Sequence, residues 1–203
     1  MASWSAPRTW VAGETHSAAH HNSNVRDNTL CVARVLAEAN TDVTVTNTSI
    51  ETNVINYTVP ANTLGSNGRL RLSVLGDVNN TSGATRAYRK RVYFGGTVIY
   101  GWQDNMSDAA NVISGPDVII VNRNATNSQA FQVVWNQVPV ASAGNALAGA
   151  PTHQYNSASW GTLTKDTTTG LAFVMSIEFD AGSSNLTYIS HSWHLELLPS
   201  PTS

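Results

Sequence analysis

The chain has 203 residues, 41% hydrophobic and only 12% charged, with a net charge of −2 and one cysteine, Cys31. That length suffices for one sizeable core, or a short appendage and one domain, and the aromatic and apolar content argues against disorder over its bulk. A lone cysteine excludes an intramolecular disulfide and a cysteine-built zinc site, and no apolar run approaches the ~18 residues of a membrane-spanning helix.

Lys90 and Lys165 are the only lysines, and the one basic cluster is Arg86, Arg89, Lys90 and Arg91. On a strand, Arg89 and Arg91 point to one face and Arg86 and Lys90 to the other. Charge divided in this way is a poor footprint for a duplex, so no nucleic-acid partner is expected. The opening "MASWSAPRTWVAGE" lacks the basic and then apolar segments of a secretory signal. The expected setting is a reducing cytoplasm, or release from it by lysis.

Residues 1–14 read as an extended arm, because Pro7 disfavours helix before it and Gly13 offers a turn. Trp4, Trp10 and Val11 are a large apolar load for so short a piece, the mark of a segment that docks onto something. Residues 15–39 read as a helix: Thr15 can cap it, and Val25, Val32, Val35 and Leu36 fall at helical spacings before Asn40. That stripe is too short for a coiled coil but long enough for brief contact between identical chains.

From residue 43 the period changes to two. Strands are expected at 43–48, 51–59, 69–76, 86–94, 97–102, 117–122, 129–138, 171–180 and 188–197, with β-branched and aromatic enrichment in "FQVVWNQV", "LAFVMSIEF" and "SHSWHLELL". Asn-, Gly- and Ser-rich turns lie between them. Gly95-Gly96 reads as a tight hairpin in which glycine supplies positive φ. Residues 139–170 read as a long loop of low charge with room for one short strand. The expected fold is mainly β: an antiparallel, jelly-roll-like sandwich over 43–199, behind an arm and one helix over 1–40.

Chemistry is sparse. His16 and His20 are spaced to share a metal on a helix, but no third ligand is specified, and a solvated helix start is the plainer reading. His191 and His194 would face opposite sides of a strand, with His194 beside Glu196. Glu178 and Asp180 share a face, as paired glycosidase carboxylates must, but that spacing is common by chance. No nucleophile elbow, phosphate loop or zinc-protease motif occurs. Asn47, Asn56, Asn80, Asn124 and Asn185 begin Asn-x-Ser/Thr triplets, which follow from composition. No enzyme activity, metal or cofactor is therefore expected. The segment "GWQDNMSDAANVISG", 101–115, reads as a loop in which Trp102 beside Asp104, Asn105 and Asp108 offers a ring face and hydrogen-bonding groups of the kind that hold a sugar ligand, and the plainer reading is that Trp102 ends a strand and packs in the core.

Two stretches carry a resemblance. In "PRTWVAGETHSAAHHNSNVRDN", Pro7, Arg8, Trp10, Gly13, Glu14, Asn22, Arg26, Asp27 and Asn28 match a pattern that resembles the N-terminal segment of tailed-bacteriophage structural proteins. His20 and His21 depart from that family's usual apolar helix residues. Residues 57–100, from "YTVPANTLGSNG" to "FGGTVIY", are similar to the β-rich domains of phage fibre and surface proteins. The resemblance implies a jelly-roll-like domain, often a homotrimer, in a virion assembled in the host cytoplasm. Trp4, Pro7, Arg8, Trp10 and Val11 would then dock on other virion proteins, and Val25, Val32, Val35 and Leu36 would join the copies. The expected role is host attachment from the tail or fibres, through a surface glycan or protein. The alternative is a decoration protein of the capsid.

Overall fold

The structure is a computed structural model and describes residues 33–108, 110–139 and 157–198. It is an antiparallel β-sandwich with a jelly-roll-like arrangement of strands. The larger sheet runs β1 (Arg34–Ala39), β11 (Leu186–Leu198), β4 (Arg69–Asn80), β7 (Ala110–Asn122), β8 (Gln129–Pro139) and β9 (Ser157–Leu163). The short β2 (Val43–Thr46) shares with β1 the free side of β11, one after the other. Facing it is a sheet of β3 (Thr52–Val59), β10 (Leu171–Phe179), β5 (Arg86–Phe94) and β6 (Thr97–Met106).

The alternation visible in the sequence decides what faces inward. Leu70, Leu72, Val118, Ile120, Val133, Trp135, Tyr188 and Leu195 of the larger sheet meet Ile55, Tyr88, Val92, Phe94, Phe173, Met175, Ile177 and Phe179 of the smaller one, all buried. Phe94 and Phe173 sit edge to face with centroids 5.9 Å apart. β5 enters β6 through Gly95 (φ 54°) and Gly96 (φ 75°), two successive left-handed residues, which is the backbone of a type I′ hairpin. At the middle of the larger sheet β4 and β7 approach closely. A Cβ on Gly115 would stand 2.1 Å from the Val74 carbonyl oxygen, so only glycine fits there.

Three expectations need correction. Residues 34–39 are a strand, not the end of a helix, and the described residues contain no helix. Val35 and Leu36 therefore lie on β1, opposite β11. Val35 is exposed, while Leu36 packs against the core, and its carbonyl accepts from the Tyr57 hydroxyl at 3.4 Å. The reason is tertiary: β11 extends well beyond β2, and β1 fills its remaining hydrogen-bonding edge, which outweighs helix propensity. Second, residues 101–106 continue β6 and 110–122 form β7, so the expected loop 101–115 reduces to a short turn. Third, the larger sheet itself begins at Arg34. Trp4, Pro7, Arg8, Trp10, Val11, Val25 and Val32, with His16 and His20, lie outside the described residues.

Candidate functional site

The chemistry-bearing side chains gather where the outermost strands of the two sheets, β6 and β9, run along one side of the sandwich. The hydroxyls of Tyr100 on β6 and Ser157 on β9 hydrogen-bond across that side. Tyr100 also stacks on Trp135, with centroids 5.4 Å apart and planes 17° from parallel.

β5 places Tyr88, Lys90 and Val92 on the inner face, as the strand period requires, and Lys90 is 0% exposed. Its Nζ lies 2.5 Å from Asp104 Oδ2 on the neighbouring strand, 4.9 Å from the Trp135 ring centroid and 5.4 Å from that of Tyr88. The rings offset part of the cost of burying a cation. The contact is a close, buried ion pair. Burial pulls the Lys90 ammonium down to about 8, with Asp104 pulling the other way. Around this pair the Trp135 indole donates to Ser114 Oγ at 2.7 Å, and Gln137 Nε2 donates to the Tyr88 hydroxyl. Burial drives the Tyr88 phenol well above its ordinary value.

Trp102 stands opposite Lys90 in the β5–β6 register, yet it is 53% exposed, because among the described residues β6 has no further neighbouring strand. Its indole N–H donates to Asp104 Oδ1 at 2.9 Å, which fixes the plane of the ring. Trp160 on β9 is 84% exposed on the outer face of the larger sheet. The expected ligand set is thus redistributed. Trp102 and Asp104 share the inner side of β6, Asn105 alternates to the outer side, and Asp108 lies in the following turn. Asp108 Oδ1 accepts from the Gly83 amide at 2.8 Å and ties two turns together.

The outer face of the smaller sheet holds a charge network. Glu178 accepts from Arg89 Nη1 at 2.7 Å and Arg91 Nη1 at 2.8 Å. Arg91 also meets Glu51 at 2.9 Å. Partial burial would raise the Glu51 carboxyl, but bonds from Ser176, Tyr93 and Arg91 hold it below its ordinary value. Asp180 Oδ2 accepts from the Ala87 amide at 3.1 Å. Both members of the supposed acid pair are thus committed to neighbours, Glu178 as an arginine-bound carboxylate, so this face does not offer the acid–base pair of a glycosidase.

Two arrangements were not legible in sequence. Trp160 carries no local signal beyond being a tryptophan in a strand. His191 sits at a bulge in β11 between Ser190 and Ser192, where β1 gives way to β2. Its Nδ1 is 3.0 Å from Asp42 and its Nε2 2.5 Å from Asp77. The bond to Asp42 raises the imidazole above its ordinary value, partial burial opposes, and Asp77 adds to the rise. His194 lies 3.8 Å from Glu196, within ion-pair range but too far for a hydrogen bond. No group of three or more metal-ligating side chains assembles among the described residues. No helix there is long and apolar enough to cross a membrane.

No protein-family model matches the chain, and no curated protein sequence matches it. Solved structures similar to it include the CBM2 module of the evolved Dit of Lactobacillus casei BL23 phage J-1, with TM-score 0.36 and 11% identity over 73% of this chain and 70% of that one. Peanut lectin is similar with TM-score 0.35 and 8% identity over 84% of this chain and 100% of that one. A structure of infectious bursal disease virus, Gx strain, has TM-score 0.30 and 12% identity over 84% of this chain and 43% of that one. These are likenesses of general strand arrangement, and the functional reading rests on the chain's own residues.

Proposed function

We propose that the chain is a non-catalytic attachment protein on the surface of a tailed-phage virion, and that the β6–β9 side of its sandwich binds a host-surface glycan. The observation that carries this reading is the exposure of two tryptophans, Trp102 and Trp160, on the strands that border that side. An exposed indole face stacks on a sugar ring, and the polar groups beside it take the hydroxyls. Asp104 holds the Trp102 ring in one orientation before any ligand arrives, so less freedom is lost on binding. The N-terminal segment, by its resemblance, supplies the anchor on the tail or fibres. A homotrimer would multiply weak contacts into firm attachment.

Two experiments test the reading. Binding of the full chain to host cells and to isolated envelope polysaccharide should fall on Trp102→Ala and on Trp160→Ala, while folding is kept. Unchanged binding in both variants would refute the glycan surface. Electron microscopy of labelled intact particles should place the protein on the tail tip or fibres. Label spread over the head would replace attachment by capsid decoration.

A further inference from the structure

We propose that Lys90 and Asp104 form an autocatalytic cross-link: their side chains condense into an amide that ties β5 to β6 inside the sandwich. The two groups that would react are held side by side inside the sandwich. Nζ and Oδ2 are 2.5 Å apart and both are shielded from solvent. The rings of Tyr88 and Trp135 flank the amine. The two carboxylate oxygens are already differentiated. Oδ1 accepts the Trp102 indole N–H at 2.9 Å, and Oδ2 faces the amine. Such confinement makes the reaction effectively unimolecular, worth an effective molarity of roughly 10⁵–10⁸ M when the atoms are aligned.

The step balances without any co-reactant. One ammonium proton passes from Nζ to Oδ2, which gives a neutral amine and a carboxylic acid. The depressed basicity of the buried Lys90 favours that transfer. The nitrogen lone pair attacks Cγ, and the negative charge that develops on Oδ1 is met by the Trp102 N–H. A second proton moves from nitrogen to Oδ2, the Cγ–Oδ2 bond breaks, and one water leaves. The third hydrogen remains on the amide nitrogen. The two opposite charges vanish together, and nothing is oxidised or reduced. Asp104 is 21% exposed at the open side of the sandwich, so the water has a way out. The product secures β6, which carries Trp102 and among the described strands pairs with β5 alone.

The test is the intact mass of the purified full chain under denaturing conditions, with peptide mapping. The expected result is a mass lower than the sequence mass by one water, and a branched peptide joining the segments that contain residues 90 and 104. Lys90→Met and Asp104→Ala should each restore the full mass. Trp102→Phe keeps a half-exposed ring but removes the donor, and should slow cross-linking at least about tenfold. The reaction should be first order, independent of protein concentration, and absent in urea. Wild-type protein that keeps its full sequence mass after prolonged incubation in the folded state would overturn the proposal, whether or not the variants fold.

Discussion

Asn80→Ala removes a side chain that holds one end of the sandwich together. Asn80 is fully buried at the end of β4. Its Nδ2 serves three carbonyls, those of Ala84 at 2.9 Å, Met106 at 3.0 Å and Ser107 at 3.1 Å, so at least one of its hydrogens is shared. Its Oδ1 accepts from the Ser82 amide at 3.1 Å and the Ser82 hydroxyl at 2.7 Å. Water can reach some of these groups after truncation, but the bond to Met106 is buried. One stranded buried carbonyl costs about 1–3 kcal/mol and each of the four lost partly buried bonds about 0.5–1.5 kcal/mol, so the expected loss is at least about 3 kcal/mol. That is a large part of the 5–15 kcal/mol typical of a domain. Urea unfolding followed by tryptophan fluorescence measures it. Asn80→Asp should be at least as damaging at neutral pH, because a carboxylate would face three carbonyls, and it should recover as pH falls from neutral, completely by pH ~4, since burial and those carbonyls raise the pKa of the folded acid. A loss under about 1 kcal/mol for the alanine variant would refute the view that this side chain organises the β4–β5 and β6–β7 turns.

Other outcomes follow from single residues. Gly96→Ala should cost about 1–2 kcal/mol through backbone strain alone, since its φ is 75° and nothing lies within 4 Å of the added methyl. Gly96→Asn should recover most of that in the same urea assay. The raised His191 pKa gives a stability contribution that is full below the ordinary value of 6.5 and is lost as pH rises through the higher folded value. The urea midpoint should therefore fall between pH 6 and pH 8.5 in a way that His191→Gln abolishes. An equal fall in that variant would show that other groups set the pH dependence. Trp160→Ala should leave stability within about 0.5 kcal/mol, since a ring so exposed supports no core. A larger loss would mean that the side chain is covered in the protein as it exists in solution.

The class of fold and the placement of most strands are legible in the residues alone, because those signals are local. Period-two alternation in 69–76, 86–94 and 171–180 states which residues point the same way, and the Asn- and Gly-rich turns state where the chain reverses. The opposition of Arg89 and Arg91 to Lys90 was legible for the same reason. What lies across each residue depends instead on how the strands pair and pack. Residues 34–39 have helical spacing in isolation, yet the long β11 offers them an open edge, and pairing wins. Residues 103–115 read as a loop because Gln103, Asp104, Asn105 and Asp108 resemble turn composition. Pairing with β5 carries the strand through to Met106 and separates that set onto two faces. Lys90 meets Asp104 and two aromatic rings, and His191 meets Asp42 and Asp77, through contacts between strands distant in sequence or across a hairpin. Periodicity fixes the face of a side chain but not its partner. The partner depends on strand order, register and bulges, which are settled when the two sheets close over a common core.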